Sequence, residues 1–381
     1  MRIKRYSEKI VELPIYLDHH ATTPCDPRVV ETMLPFFSEQ FGNPASLTHE
    51  HGRRAANAVE DARIAVARFF AVQPNEIVFT AGATESNNIA LHLVKDGDHV
   101  VTSPTEHSSV FRPAQKRDAT FVPVDQEGRV DPDDVRNALK PNTRLVSIEA
   151  ANGEIGTLQR IDAIGAVCRE RGVLFHSDVT QAAGKVALDL ANVDLASFSG
   201  HKLYGPKGIG GLFVRRGVCI DPLIAGGGQE RGLRSGTVNV PGVVGLGAAF
   251  QLRASEMDGE AARLAKLRDD LRARIEEEID GASVNGPRAL RLPGNLNVSF
   301  ERVEADSLMI AMRRFSLSSG SACASGERAP SRVLTAIGVP EALAIGSVRI
   351  GLGKSNTAEQ LSMFVDDLKR SIRKLREISA A

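Results

Sequence analysis

A lysine directly follows a buried, strand-like run of the sequence. The segment 199–202 reads Ser-Gly-His-Lys and comes after the apolar run 195–198. A free lysine has a pKa of ~10.4 and must lose its charge before it attacks a carbonyl, and burial favours that loss. Lys202 is therefore a candidate for Schiff-base chemistry. The alternative is a lysine that only extends its charge into water, which is more common for a lysine considered alone.

Asp178 adds an acid at the end of a second strand-like run, 173–176. A carboxylate in that place can pair with the protonated nitrogen of a pyridine ring, the arrangement that makes pyridoxal phosphate an electron sink. Gln181 follows in the same segment, and its amide can donate a hydrogen bond to the phenolic oxygen of that cofactor. Lys202 and Asp178 together therefore indicate a pyridoxal-phosphate site.

A third apolar run, 76–80, leads into the loop 81–84 (Ala-Gly-Ala-Thr), after which a helical pattern opens. Backbone N–H groups and the positive end of a helix dipole bind phosphate at such a place. The loop, which includes Ala83 and Thr84, is a candidate phosphate cradle. Without the other residues, an ordinary turn would be the more common interpretation.

Composition and spacing exclude several classes of function. Nucleotide loops are disfavoured because Phe213, Arg231 and Val348 stand where dinucleotide or Walker A motifs require glycine. The 381 residues carry 47 basic and 47 acidic side chains, so no global charge attracts nucleic acid or an anionic membrane. We expect no membrane span or leader, and no metal, since His49 and His51 lack zinc-site spacing. Four cysteines without a CxxC pair favour a reducing compartment, the cytoplasm.

Short buried apolar runs alternate with longer helical patterns, which is typical of an α/β fold. Helices are predicted over 57–70 and 161–171. The predicted strands are 76–80, 99–102, 145–149, 173–176, 195–199 and 211–214.

A charge-dense segment with helical periodicity begins near Ser255 and predicts a hinge helix that enters a second domain. Thr357 and Gln360 match a capping box before a terminal amphipathic helix. The predicted division is a large cofactor-binding domain of residues 18–254 and a small domain of residues 1–17 and 255–381.

Ordered motifs extend along nearly the whole chain, from Tyr16 to Thr357. They are 42–46 (Gly-Asn-Pro-Ala-Ser), 105–107 (Thr-Glu-His), 178–181 (Asp-Val-Thr-Gln), 199–202 (Ser-Gly-His-Lys), 226–230 (Gly-Gly-Gly-Gln-Glu), 234–237 (Arg-Ser-Gly-Thr) and 318–323 (Ser-Ser-Gly-Ser-Ala-Cys). In these motifs the chain resembles the cysteine desulfurases, pyridoxal-phosphate enzymes of the class V aminotransferase group. The resemblance implies a pyridoxal-phosphate-transferase fold like that of aspartate aminotransferase, with a mainly parallel sheet in the large domain and a smaller α+β domain.

The resemblance also implies roles for residues around the cofactor. Lys202 would form the Schiff base, Asp178 would pair with the pyridine nitrogen, and Gln181 would contact the phenolic oxygen. His107 would stack over the ring and could move protons, including the proton of a reacting thiol.

Four further residues match the ligands of the cofactor phosphate in the family. Thr84, Ser199 and His201 would come from the same chain. Thr237 would be contributed by the other subunit, so the resemblance implies a homodimer with two shared sites.

Cys323 lies among small residues and matches the family's nucleophile, and Arg349 matches the arginine that holds the substrate carboxylate. A guanidinium can bind a carboxylate through two parallel hydrogen bonds. The implied reaction converts L-cysteine to L-alanine and leaves a persulfide on Cys323. That sulfur would pass to an acceptor protein, such as an iron–sulfur scaffold or a component of a thiolation pathway.

Some positions depart from the family pattern. Gly153 stands where an asparagine is usual, His19 and His20 occupy a stretch that commonly has asparagine, and Ile345 replaces a frequent histidine. Gly153 raises the alternative of a catalytically idle scaffold or regulator. Two other reactions on the same cofactor also stay open, those of a selenocysteine lyase and of an aminotransferase.

Overall fold

The computed structural model describes residues 14–319 and 330–380. Within these ranges the strands are β1 (Ile15–Tyr16), β2 (Ile77–Thr80), β3 (His99–Thr102), β4 (Asp118–Phe121), β5 (Thr143–Ser147), β6 (Leu174–Asp178), β7 (Leu195–Ser199), β8 (Gly210–Val214), β9 (Ala282–Asn285), β10 (Asn295–Phe300), β11 (Phe315–Ser316), β12 (Ser318–Ser319) and β13 (Ser347–Gly351). The helices are α1 (Pro27–Met33), α2 (Pro35–Ser38), α3 (Glu50–Phe69), α4 (Ala83–Leu91), α5 (Ser108–Ala114), α6 (Pro132–Ala138), α7 (Ile161–Arg171), α8 (Val240–Glu278), α9 (Ala305–Ala311), α10 (Arg332–Ala336), α11 (Glu341–Ala344) and α12 (Ala358–Ala380).

A seven-stranded sheet in the order β2-β8-β7-β6-β5-β3-β4 forms the centre of the molecule. The strands from β7 to β4 pair in parallel, and β8 pairs antiparallel with both β7 and β2. The prediction of an α/β fold with a mainly parallel sheet is confirmed. The strand runs 99–102 and 195–199 were predicted with their observed bounds, and the other four predicted strands differ by one or two residues at one or both ends.

Helices cover both faces of this sheet, which explains why its strands read as continuous apolar runs. Phe198 of β7 packs with Phe70 and Phe250 on the face covered by α3 and α8. Leu195 of the same strand belongs to the core on the other face, beneath α4 and α5. Because side chains of a strand alternate between the two faces of the sheet, one strand contributes to two different cores.

Helix α8 is longer than the sequence predicts, because it begins at Val240 rather than near Ser255. Its uncharged first part packs closely on other helices. A Cβ at Gly247 would lie 2.7 Å from the Cα of Ala62 in α3, and one at Gly245 would lie 2.5 Å from the sulfur of Met33 in α1. The glycines that weaken the helical pattern in the sequence are therefore what lets the helix approach its neighbours.

A second core lies around the antiparallel sheet β12-β13-β10-β9. Leu271 and Ile275 of α8 pack there against Phe364 and Leu368 of α12. Helix α8 thus contributes to both cores, and the predicted boundary between residues 254 and 255 falls inside it. The division into domains at that position stays a prediction.

The terminal helix begins with the expected capping box. The N–H of Gln360 donates to Thr357 Oγ1, and the N–H of Thr357 donates to Gln360 Oε1, each over 3.3 Å. Across the described residues, no helix is both long and apolar enough to cross a bilayer.

Candidate active site

The loops that follow β2, β6 and β7 lie at the carboxyl ends of the strands of the central sheet. β6 and β7 are parallel neighbours, with Asp178 in register with Ser197. Lys202 lies in the 3₁₀ turn Gly200–Lys202 that follows β7. β2 runs in the same direction as β7, since both are antiparallel to β8. The structure therefore brings Lys202, Asp178 and the loop after β2 to the carboxyl ends of the strands, where α/β sheets usually bind ligands.

Two backbone carbonyls orient the Lys202 side chain. Its Nζ lies 2.6 Å from the carbonyl oxygen of His20 and 2.7 Å from that of Ala21. Both carbonyls belong to the loop that follows β1, and each can only accept a hydrogen bond. This loop therefore fixes the direction of the amine at the edge of the sheet.

Asp178 is 6% exposed and receives a donor on each carboxylate oxygen. Asn87 Nδ2 donates to Oδ2 over 2.7 Å, and the N–H of Thr180 donates to Oδ1 over 3.0 Å. These bonds fix the plane of the carboxylate. A buried, oriented carboxylate is suited to hold a protonated ring nitrogen, because burial of a charge is favourable only when it is paired.

His107 forms the N-cap of α5 and lies exposed at the cleft. Its Nδ1 accepts the N–H of Ser109 over 3.2 Å and lies 2.7 Å from Ser109 Oγ. Desolvation by the surrounding protein lowers the pKa of His107. The charge of Asp178 raises this pKa, and the cations Lys202 and Arg332 lower it further. The imidazole is therefore neutral at neutral pH.

Gln181 contacts two of the positions where the sequence departs from the family pattern. Its Nε2 donates to the carbonyl of His20 over 2.9 Å, and its Oε1 accepts from Lys185 Nζ over 2.8 Å and lies 3.1 Å from His20 Nδ1. A Cβ at Gly153 would lie 2.6 Å from Gln181 Nε2. Gln181 thus occupies space that a side chain at position 153 would need.

Lys185 is a second lysine close to the site. Desolvation lowers its pKa well below the usual lysine value, and the nearby cations Lys202 and Arg349 lower it further. The sequence contains no strand-end signal for this residue, so sequence reasoning missed it. Asn87 and Ser109 were also missed, because each lies inside a helix and its contact is visible only once the chain is folded.

The loop after β2 is shaped to receive an anion. Gly82 has a φ of +148°, a backbone conformation that favours glycine, and a Cβ there would lie 3.5 Å from Ser199 Oγ. Helix α4 begins immediately afterwards at Ala83, followed by Thr84. Its N-cap residue is Gly82, so no side chain caps the start of the helix. Unsatisfied N–H groups of a helix start bind phosphate in this way.

His201 lies in the turn after β7. Its Nδ1 lies 3.1 Å from Thr22 Oγ1. Burial lowers the pKa of His201 to about 4, with Lys202 and Lys207 contributing in the same direction. His201 is therefore a neutral ring at physiological pH and contributes a hydrogen bond rather than a charge.

Arg349 on β13 faces the same cleft from the second sheet. Its Nη2 lies 2.8 Å from Asp18 Oδ1, and its Nη1 donates to the carbonyl of Gly153 over 3.3 Å. Ser318 Oγ donates to the same Asp18 oxygen over 3.0 Å. The buried Nε of Arg349 has no partner within residues 14–319 and 330–380. A donor of this kind fits a carboxylate ligand.

Cys323 lies outside the described residues. The segment directly before residues 320–329 is β12, in which Ser318 is in register with Arg349. On the other side, Arg332 Nη2 donates to the carbonyl of Glu106 over 2.6 Å, and its guanidinium carbon lies 3.5 Å from the ring centre of Phe111. The described residues before and after 320–329 therefore contact Arg349 on one side and Glu106, the neighbour of His107, on the other.

The other cysteines and Thr237 differ in their exposure. Cys168 is buried in the core, and desolvation raises its pKa to about 12, which keeps its thiol protonated. Cys219 is exposed and Cys25 is half-buried. Thr237 is exposed in the loop before α8. His49, considered above as a metal ligand, instead caps α3 through its Nδ1, which accepts the N–H of Gly52 over 3.1 Å.

Two buried glutamates lie behind the His107 loop. Glu106 Oε1 accepts the N–H of Glu149 over 2.7 Å, and Glu149 Oε1 accepts from Asn152 Nδ2 over 2.8 Å. Desolvation raises the pKa of both carboxyls, and the charge of Asp178 raises both further. The charge of Glu149 also raises the pKa of Glu106.

The fold and these residues define a class of enzyme. In this class a lysine and an acid, here Lys202 and Asp178, lie at the ends of neighbouring strands, and a helix start, here that of α4, can bind an anion. The chain matches the family Aminotransferase class-V over residues 15–364 and belongs to it.

Several relatives cover almost the whole chain. A "Cysteine desulfurase IscS" of Anaeromyxobacter dehalogenans (strain 2CP-C) is 48% identical over an alignment of 383 positions that covers 97% of this chain and 95% of the relative. A "Probable cysteine desulfurase, mitochondrial" of Dictyostelium discoideum is 45% identical, covering 96% of this chain and 84% of the relative. The solved structure of a NifS-like protein from Rickettsia africae ESF-5 has a TM-score of 0.87 at 31% identity, covering 94% of this chain and 99% of that chain. A structure described as SspA in complex with cysteine has a TM-score of 0.80 at 38% identity, covering 89% and 98%.

Pyridoxal phosphate is the cofactor of this family, and the residues present fit it. The cradle at Gly82 with the uncapped start of α4 suits its phosphate. Asp178 suits its ring nitrogen, and the amine of Lys202 follows the adjacent strand. The expected fold, family and cofactor are thus confirmed.

Proposed function

We propose that this chain is a cysteine desulfurase that converts L-cysteine to L-alanine and stores the released sulfur as a persulfide on Cys323. The observation that carries the proposal is the placement of Lys202 and Asp178 after neighbouring parallel strands. The identity of 48% to a cysteine desulfurase supports the choice of substrate.

Arg349 binds the substrate carboxylate in this proposal. Asp18 and the Gly153 carbonyl hold two of its nitrogens, at 2.8 and 3.3 Å. The guanidinium is therefore oriented before the substrate arrives, and its Nε presents a buried N–H to the cleft. A fixed carboxylate orients the Cα–H bond of the amino acid, which converts binding energy into reactive geometry.

Lys202 would hold the cofactor and take the proton from the substrate Cα for delivery to the carbon that becomes the alanine methyl group. The proton lost by the Cys323 thiol would then complete the Cα–H bond of alanine. Bound pyridoxal phosphate supplies an electron sink that makes the Cα–H and Cβ–S bonds labile. Asp178 would keep the ring nitrogen protonated, and Gln181 would contact the phenolic oxygen. The phosphate would be held by Ala83, Thr84, Ser199 and His201, and His107 would lie over the ring.

Cys323 attacks the substrate sulfur as a thiolate. The new S–S bond forms as the Cβ–S bond breaks, so that sulfur is oxidised and carbon is reduced. L-Cysteine and a thiol thus give alanine and a persulfide, and no external oxidant is required. The persulfide is then passed to an acceptor protein, such as an iron–sulfur scaffold, and we place this exchange in the cytoplasm.

The enzyme acts as a homodimer in this proposal, with Thr237 completing the partner's phosphate site. Thr237 is exposed in its own subunit. Large apolar side chains are exposed in the segment from α1 to α3, including Phe37 at 64% and Phe41 at 66%. Burial of such side chains against a second subunit is favourable.

The test is incubation of the holoenzyme with L-cysteine while alanine and protein-bound persulfide are measured together. We expect stoichiometric formation of both in a single turnover. Cys323→Ala should bind the cofactor and form no persulfide, whereas Cys219→Ala, which removes another cysteine, should behave as the unmodified protein. Sulfur transfer at the normal rate by Cys323→Ala would reject the proposed nucleophile.

A further inference from the structure

Two buried side chains connect Asp178 to His107. Asn87 Nδ2 lies 2.7 Å from Asp178 Oδ2 and 2.8 Å from Ser109 Oγ. Ser109 Oγ lies 2.7 Å from His107 Nδ1. Asn87 is fully buried and Ser109 is 7% exposed. The acid and the imidazole are thus joined by a continuous chain of hydrogen bonds.

The chemistry of each group fixes the direction of this chain. An ionised carboxylate only accepts, so Asn87 must direct its NH₂ group at Asp178, and its second N–H then points to Ser109 Oγ. The serine oxygen accepts that bond and keeps its own hydrogen for His107 Nδ1. The backbone N–H of Ser109 can only donate, and it also points to Nδ1, over 3.2 Å. Two donors therefore converge on one ring nitrogen.

We propose that Asn87 and Ser109 are positioning residues that hold His107 as the neutral tautomer with its hydrogen on Nε2. This inference rests on the proposed function for its catalytic meaning. His107 then meets the ring or the substrate as an N–H donor and does not serve as the base that takes the proton of a thiol. Neutral imidazoles act as hydrogen-bond donors in other enzymes.

Addition of a proton to His107 is opposed by the same contacts. The proton would have to enter at Nδ1, where the backbone N–H of Ser109 already points. The serine hydroxyl would have to turn away from the ring, and the amide of Asn87 already occupies the other side of its oxygen. The charged groups around the ring, Asp178, Lys202 and Arg332, oppose one another in sign.

The tautomer is observable by NMR in the holoenzyme labelled with ¹⁵N-histidine, with the His107 signals assigned by their loss in His107→Gln. We expect the Nε2–H pattern near neutral pH. Ser109→Ala should raise the pKa of His107 by about 0.5 to 1 pH unit, because it removes one hydrogen bond to Nδ1. Asn87→Leu should shift it in the same direction by releasing the serine hydroxyl. Ser108→Ala, which changes the adjacent serine outside the chain of bonds, should leave the value unchanged.

An Nδ1–H pattern in the unmodified protein would overturn the assignment. So would an unchanged pKa of His107 in both Ser109→Ala and Asn87→Leu. Alanine formation is measured on the same samples. Its absence in the unmodified protein would reject the desulfurase activity and leave the tautomer result standing, so the two failures can be told apart.

Discussion

Arg349 of β13 and Asp18 form an ion pair, with Nη2 and Oδ1 2.8 Å apart. Asp18 lies in the loop after β1 that also provides the carbonyls for Lys202. The arginine proposed to bind substrate and the lysine proposed to bind cofactor are therefore oriented by one short segment, residues 18–21.

Replacement of Arg349 by lysine should weaken substrate binding. A lysine cannot reproduce the planar pair of donors, so we expect kcat/KM for L-cysteine to fall about 10- to 100-fold. Most of the change should appear in KM, because a ground-state contact is lost. Steady-state kinetics provide the measurement. Arg314→Lys, an exposed ion-paired arginine in the same part of the chain, serves as the control, and an equal effect there would contradict the assignment.

A side chain at Gly153 should displace Gln181. In Gly153→Asn the new Cβ would lie 2.6 Å from Gln181 Nε2, so the amide must leave Lys185 and His20. We expect a loss of stability of about 1–3 kcal/mol, as for other overpacked sites, and a shifted visible absorption of the bound cofactor. Thermal unfolding and absorption spectra are the measurements. Gly259→Ala, in an open position inside α8, should not lower the stability, because alanine favours a helix over glycine, and should leave the spectrum unchanged. An unaltered spectrum in Gly153→Asn would argue against contact between Gln181 and the cofactor.

The buried pair Glu106 and Glu149 should make the protein less stable as the pH rises. Their pKa values in the folded state lie above the ordinary carboxyl value, so these two carboxyls hold more protons in the folded protein than in the unfolded chain. Their contribution to stability is then greatest at low pH and is lost as the pH rises through the raised values. Glu149→Gln keeps the acceptor for Asn152 and should flatten the fall in Tm between about pH 5 and pH 8. Glu277→Gln, at an exposed position, should not flatten it. A Glu149→Gln profile parallel to that of the unmodified protein would contradict the assignment.

Mixed dimers should reveal whether Thr237 completes the partner's site. A dimer of one Lys202→Ala chain and one Thr237→Asp chain holds one site with both changes and one fully native site. Activity of the mixed dimer should therefore be about half that of the unmodified dimer. Each variant alone should be far less active, since Thr237→Asp places a negative charge beside the phosphate. Purified mixed dimers with two different tags allow the measurement, and activity no higher than that of either variant would reject the shared site.

Much of the sheet was predictable because its buried strands read as short apolar runs that end at polar residues. Lys202 and Asp178 could be found for the same reason, since each directly follows or ends such a run. The capping box at Thr357 was predictable because it is set by local spacing.

Other features depended on contacts between distant parts of the chain. The first part of α8 was missed because its glycines disfavour a helix in isolation, and only packing on Ala62 and Met33 explains them. The hydrogen bond between Asn87 and Ser109 connects side chains of two different helices, α4 and α5. Lys185 lies beside Gln181 only because a turn brings the two together.

The central claim is that Lys202 is the amine that holds the cofactor, and Lys185 provides a stringent comparison because it is a second lysine beside Gln181. Borohydride treatment of the holoenzyme fixes the cofactor on whichever amine binds it, and peptide mass spectrometry then locates the added pyridoxyl group. We predict that the group is found on Lys202. Its presence on Lys185, or its absence from both lysines, would contradict the account.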